Sequence, residues 1–271
     1  MAISEFKYQL GKVEKGYTNR TLYVNVSNNQ IISRPVSQEM KDKFIGGRGF
    51  DLWLLWNALP KDRIAKWDDP ENEVCIACGP LGGTPVYPGS GKSIAVSISP
   101  LTDSVVDSNV GGYFGPYLKF SGWDALEIQG KAKSEIVIII DGDEGKVKIE
   151  EASTLPSETY PITDYLAKKY GGENGQSISV VSSGPGAENT RFGCLNLSWY
   201  DLARKIHRFK QAGRGGIGTV MRNKKIKAIA VKYSGKITLD TNGPADPETV
   251  KQLGIEHSKE IRRLDLKQNE M

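Results

Sequence analysis

Ile136-Val137-Ile138-Ile139-Ile140 is followed by Asp141-Gly142-Asp143-Glu144-Gly145 and then by Val147-Lys148-Ile149. A short apolar run bounded by turn residues reads as a buried strand, and the second run after the turn as another. The same reading applies to Val74 to Cys78, Ile94 to Ile98, Ala125 to Ile128, Ile178 to Val181 and Ile226 to Val231. Gly, Pro, Asp and Ser separate them. Strands outnumber helices, which predicts an α+β fold, mainly β, with short flanking helices.

Toward the N-terminus, Thr21 to Val26, Asn28-Asn29 and Gln30 to Ser33 predict a strand, a tight turn and a returning strand. Ser37 is placed to cap a helix through Met40 and Phe44, stopped by Gly46-Gly47. A second helix carries Phe50, Trp53, Leu54 and Trp56 and closes at Pro60. Further on, Pro161 to Tyr170 predicts a helix ended by Gly171-Gly172, and Ser198 to Phe209 a polar, basic helix. Thr241-Asn242-Gly243-Pro244 reads as a linker, and Asp246-Pro247 as a helix start. Val250, Leu253, His257, Ile261 and Leu264 would line one apolar stripe of that helix, docked on the sheet unit or, preferably, on a separate partner. The organisation expected is 1–240 as one unit and 241–271 as a linker and the first helix of another.

The 271 residues include 30 glycines, many in pairs, which implies tight turns and close backbone approaches. Ile136 to Ile140 is far too short to span a bilayer, and the N-terminal residues lack the apolar stretch of a signal peptide. Three cysteines, an odd number, make no disulfide framework and suit a reducing compartment, so the expected location is the cytoplasm. Net charge is +4, but Arg204 to Lys227 holds nine Lys or Arg and no Asp or Glu. That run suits either an anionic partner or a plain solvated face. Only Phe209 interleaves it with an aromatic platform, which argues against nucleic acid.

Several motifs suggest chemistry and then fail on context. Gly91-Lys92-Ser93 ends like a phosphate loop, but Val86 stands where its first glycine belongs, and a strand follows. Gly213-Arg214-Gly215-Gly216-Ile217-Gly218 fits the dinucleotide spacing, yet a polar basic segment precedes it where a buried strand is required. Cys75 and Cys78 have metal-ligand spacing, but three residues along a strand point to opposite faces, so both read as buried thiols. Cys194 reads as a core residue. His207 and His257 do not complete a set of four Cys or His ligands.

Read together and in order, other segments are more informative. They are Gly46-Gly47-Arg48-Gly49, Ala77-Cys78-Gly79-Pro80-Leu81-Gly82-Gly83-Thr84, Ser99-Pro100-Leu101-Thr102 and Gly111-Gly112-Tyr113-Phe114-Gly115. Leu118 to Ala125, Gly184-Pro185-Gly186-Ala187-Glu188-Asn189, Ala212 to Gly218 and Asn223 to Val231 continue the series. The chain up to about residue 240 thereby resembles the N-terminal domain of the tungsten-containing aldehyde:ferredoxin oxidoreductase family. The resemblance implies two β-sheets forming a base under a tungsten atom that two pyranopterin dithiolenes chelate. Soft sulfurs on the cofactor then do what cysteines do elsewhere, and no side-chain metal ligand is required of this part.

The resemblance also implies roles for individual residues. A magnesium ion joining the two pterin phosphates would take main-chain carbonyls of Asn109 and Gln211, hard oxygen donors that suit it. An asparagine before Gly111-Gly112 also suits a turn, and both readings are compatible. Lys92 and Lys210 stand where the family commonly has phosphate-binding arginines, keeping the charge but losing the bidentate fork. Arg208 and Arg214 are alternatives to Lys210. Gly111, Gly112, Gly213, Gly215 and Gly216 would let backbone approach the flat cofactor, or would simply be turns.

By the same resemblance the cysteine ligands of a 4Fe-4S cluster, the remaining pterin loops and the catalytic acid/base groups lie beyond this chain. It would be a fragment or one subunit, inactive alone. With the remaining domains or a second subunit it would oxidise an aldehyde to a carboxylic acid and pass two electrons to ferredoxin. Relatives acting on aromatic acyl thioesters or sugar phosphates are an alternative, as is a nucleotide-binding or nucleic-acid-binding module.

Overall fold

A computed structural model describes residues 2–172 and 175–268, with side chains described as far as residue 263. Thirteen strands form two mixed sheets. The six-stranded sheet contains β2 (Arg20–Asn25), β3 (Gln30–Pro35), β4 (Val74–Ala77), β5 (Ser93–Ile98), β6 (Val105–Val110) and β7 (Ala125–Gln129), in the order β3-β2-β7-β4-β5-β6. The seven-stranded sheet contains β1 (Ala2–Lys7), β8 (Ile136–Asp141), β9 (Lys146–Glu151), β10 (Ile178–Ser182), β11 (Leu195–Asp201), β12 (Ile206–Ala212) and β13 (Ile226–Lys232). Its order is β1-β9-β8-β13-β10-β11-β12. The β2–β7 and β8–β13 pairs are parallel; the rest are antiparallel.

Residue alternation explains why the sheets stack. In β8, Ile136, Ile138 and Ile140 enter the core between the sheets, where Leu22, Val24, Ile76 and Leu126 meet them from the other side. Val137 and Ile139 point outward instead, under the helix α4 (Thr159–Tyr170), with Ile162 and Leu166. Period two thus gives one strand two buried faces, which is why it reads as an unbroken apolar run. The six-stranded sheet is covered outside by α2 (Arg48–Ala58), whose Leu55 packs on Cys75 and Val96. Before it, α1 (Gln38–Lys43) starts where the Ser37 hydroxyl accepts the Met40 N–H at 3.1 Å.

Two short helices lie in the inner core. Phe114 and Leu118 of α3 (Phe114–Phe120), and Ile217, Val220 and Met221 of α5 (Ile217–Asn223), are all buried there. A last helix, α6 (Pro247–Gln268), touches the sheet unit at Gly254, which lies against the Val86 carbonyl, and through an edge-on Tyr87–His257 ring pair. Leu253 and Ile261 remain exposed, and the side chain of Leu264 lies outside the described residues.

The polar helix expected over Ser198 to Phe209 is instead the β11–β12 hairpin. Asp201 makes the turn: its carboxylate accepts the N–H groups of Ala203 and Arg204 at 3.1 Å, and Lys205 takes a positive φ of 54°. An Asx turn followed by alternating burial outweighs the helix propensity of Leu202, Ala203, Arg204 and Lys205. Cys194 is half-buried rather than in the core, whereas Cys75 and Cys78 are fully buried free thiols. Burial pushes both of these thiols up, so neither offers a thiolate.

Candidate functional site

The residues singled out in the sequence gather where the last strands of the two sheets, β6 and β12, come side by side. Each pairs on one side only, so each has an outer row of backbone groups free of ladder bonds. A loop from β12 crosses to β6, where the Arg214 N–H donates to Ser108 Oγ at 3.1 Å. Gly215 presses on Val106, so closely that a Cβ there would lie 2.4 Å from Cγ1. Gly216, with φ +69°, opens α5 in a space where a Cβ would lie 2.0 Å from the Arg191 carbonyl oxygen.

On the β6 side, Asn109 pairs with Ile94, and Gly111-Gly112 follow the strand. The Gly112 carbonyl sits over Gly91, where a Cβ would come within 2.6 Å of it. This seats Lys92, whose ammonium donates to Asn109 Oδ1 at 3.3 Å. Trp199 of β11 backs Gly112 from the other sheet. The structure therefore brings Lys92, Asn109, Gly111 and Gly112 into one rim, with Gly213 to Gly216 beside β6.

The five glycines divide by cause. Gly112 has φ +124° and Gly215 φ +71°, and Gly216 is both left-handed and crowded, so the fold itself demands them. Gly111 and Gly213 have neither a positive φ nor any atom within 4 Å of an added Cβ. Neither crowding nor backbone conformation requires glycine at these two positions.

The cations divide too. Among the described residues, Lys92, Lys210 and Arg214 make no ion pair, and all three are exposed. Arg208 is engaged by Asp201 at 3.4 Å and lies over the Trp199 ring, which leaves Lys210 and Arg214 as the free charges on this side. Lys210 and Gln211 are exposed neighbours on β12, with side chains alternating across the strand. The basic run from Arg204 thus separates: its distal members Arg222, Lys224 and Lys227 are buried in the fold.

Under the rim lies a cation that the sequence did not reveal. Lys119 of α3 is buried, and its ammonium faces the carbonyls of Gly79, Pro80 and Gly82 at 3.0, 2.8 and 2.8 Å and Asn242 Oδ1 at 3.2 Å. Asn242 in turn donates to the Pro80 carbonyl and Thr84 Oγ1. This internal ammonium fixes the Gly79–Gly82 loop, which with Lys92 lines a cleft of about 180 Å³. Burial lowers the Lys119 pKa, while the carbonyl dipoles around it favour the charged form. Arg48, paired with Asp107 of β6 at 2.8 Å, and Trp199 are further rim residues that sequence reading missed.

The dinucleotide reading of Gly213 to Gly218 fails for a different reason than expected. A strand does precede the loop and a helix follows, but β12 and β13 run antiparallel, so no parallel βαβ unit exists. Gly91-Lys92-Ser93 is followed by β5, a strand, as its sequence context required. The rim offers backbone and cations suited to phosphate, without a facing pair of acid and base.

Comparison with known proteins places the sequence and the fold in one family. Residues 21–233 match the family described as aldehyde ferredoxin oxidoreductase, N-terminal domain. The tungsten-containing aldehyde ferredoxin oxidoreductase of Pyrococcus horikoshii is 34% identical over 231 residues, 84% of this chain and 35% of that protein. Its counterpart in Thermococcus kodakarensis is 35% identical over 224 residues, 83% of this chain and 34% of that one. In the solved active-site complex BamBC of benzoyl coenzyme A reductase with 1,5-dienoyl-CoA, one chain superposes with a TM-score of 0.71 at 25% identity. The match covers 83% of this chain and 32% of that chain. The chain spans about a third of the length of the relatives it matches. With a matching sequence, the same two-sheet fold and a rim of bare backbone, the chain belongs to the aldehyde ferredoxin oxidoreductase family, in its N-terminal domain.

Proposed function

We propose that this chain is the cofactor-cradling part of a tungsten bis-pyranopterin oxidoreductase that oxidises aldehydes to carboxylic acids with ferredoxin as electron acceptor. The observation that carries the reading is the pair Gly111 and Gly213, bare and uncrowded on a rim where the exposed Lys92, Lys210 and Arg214 have no ion-pair partner among the described residues. A planar, doubly phosphorylated group fits such a rim. Lys92 on one side and Lys210 on the other, with Arg214 beside it, would hold the phosphates; main-chain carbonyls of Asn109 and Gln211 would hold magnesium. When bound, the tungsten centre supplies two-electron exchange with the substrate carbon. The residues of this chain bind, orient and neutralise; acid/base groups and the 4Fe-4S cluster belong to the remaining domains or a second subunit.

On this reading residues 1–240 form the cradle and 241–271 lead into the next domain, and the chain alone is inactive. A cytoplasmic, anaerobic setting fits free thiols, and among the described residues no helix is long and apolar enough to cross a membrane. A second reading, an aromatic acyl-CoA substrate, draws on the likeness to the benzoyl coenzyme A reductase complex. The test is elemental analysis for tungsten, molybdenum and iron on the chain purified without oxygen from its native cells, co-purifying polypeptides retained. Tungsten with iron and further polypeptide is the expected result. Absence of all three metals overturns the reading.

A further inference from the structure

At the far end of α5 from Gly216, a cleft of about 550 Å³ opens between Trp67, the 131–135 loop, the 3-10 turn Pro185–Asn189 and the start of β13. This is within the size range of small-molecule sites. Its floor is Arg222, whose side chain is 3% exposed. Nη2 of Arg222 donates to Glu135 at 3.1 Å and to Glu188, but Nη1 is buried with no partner among the described residues. A guanidinium whose Nη1 lacks a partner beneath a cleft calls for an acceptor.

The surroundings select the charge of that acceptor. Lys131 and Lys225 stand at the mouth; their ammonium groups donate once each, to Asn223 Oδ1 at 2.8 Å and the Lys133 carbonyl at 2.6 Å, leaving further N–H groups free. Glu135 is neutralised by Lys227 at 2.8 Å as well as by Arg222. The hydroxyls of Ser134 and Ser153 are both turned to Glu151, and that of Thr219 to the Thr190 carbonyl at 2.9 Å. The lining therefore holds three cations, Lys131, Lys225 and Arg222, against the carboxylates of Glu135 and Glu188, and the hydroxyl protons of Ser134, Ser153 and Thr219 are already engaged. The cationic donors that remain are Lys131, Lys225 and Arg222, beside the neutral N–H groups of Asn223 and Trp67.

We propose that this cleft is a second, separate binding site for a small tetrahedral oxyanion of the phosphate class, seated on Arg222 and closed by Lys131 and Lys225.

Inorganic phosphate is the probe, titrated into the 15N-labelled full chain at constant ionic strength. Saturable shifts of the Thr219 and Asn223 amides at millimolar phosphate are expected, together with a roughly tenfold weaker constant in Lys131→Gln/Lys225→Gln. Both lysines are at the surface, so that double variant keeps its fold, checked by circular dichroism. Phosphate also suits the cofactor rim, so Lys92→Gln/Lys210→Gln is the control and must leave these shifts unchanged. No saturable shift in the native chain, equal binding in the Lys131/Lys225 variant, or loss in the Lys92/Lys210 variant each overturns the proposal.

Discussion

The ammonium of Lys92 and the side-chain oxygen of Asn109 meet at 3.3 Å, joining the approach to β5 with the outer strand β6. One residue is proposed for a pterin phosphate, the other for a carbonyl to magnesium, and each holds the other in register. Lys92→Ala should therefore lower tungsten retention in the assembled enzyme by about tenfold, the value of one charge-assisted hydrogen bond. The fold should be untouched, since Lys92 is exposed. Lys92→Arg should restore retention, and wild-type tungsten content in the alanine variant would remove the assignment.

Two glycines of the rim should answer substitution in opposite ways. Gly215→Ala forces a φ of +71° on an L-residue and a methyl into Val106, which should cost about 1–3 kcal/mol in urea unfolding. Gly111→Ala meets nothing within 4 Å and should unfold at the wild-type midpoint while losing cofactor. Equal stability losses in both variants would erase the distinction between fold glycines and ligand glycines.

Stability should fall as pH rises through neutrality because of Glu73. Burial, then repulsion from Glu127, pushes its carboxyl up to about 8 from 4.5. The native state holds the proton that the unfolded chain releases, so stability is full below about 4.5 and declines until about pH 8. Glu73→Gln should flatten that slope and be the more stable protein at pH 8, by up to a few kcal/mol. Urea midpoints at pH 5 and pH 8 check it; parallel pH dependence in the two proteins refutes the role of Glu73.

Removing the Lys119 ammonium takes a donor from the Gly79, Pro80 and Gly82 carbonyls, of which Gly79 keeps the Gly82 N–H and Pro80 the Asn242 amide. Lys119→Met should cost about 1–3 kcal/mol, the penalty of a buried acceptor left short of its donor. The amide of Gly82 should exchange faster in that variant. A loss below about 1 kcal/mol would mean that the loop is held by other contacts.

Strands buried on both faces, such as β8 and β13, were legible because their apolar runs have no other reading. Of the outer strands, β3 was legible through its tight turn after β2, but β6 and β12 were not. β6, Val105-Val106-Asp107-Ser108-Asn109-Val110, is polar because it pairs on one side only, and β12 carries its charges for the same reason. The inner helices α3 and α5 begin amid Gly and Pro and are set by packing between sheets, against local propensity. The glycines and lysines of the rim were found through ordered motifs. Ser108, Trp199 and Lys119 were not, since their partners lie across strands or far along the chain, up to position 242 in the case of Lys119.

That last separation has a consequence for biogenesis. Lys119 leaves the ribosome long before Asn242, so during synthesis its charge sits in an incomplete shell of loop carbonyls. Only when the segment past β13 has emerged can the loop beside Lys92 take its final form. On the proposed function, a pterin arriving earlier would meet a half-set rim, and loading of the cradle would be a late step.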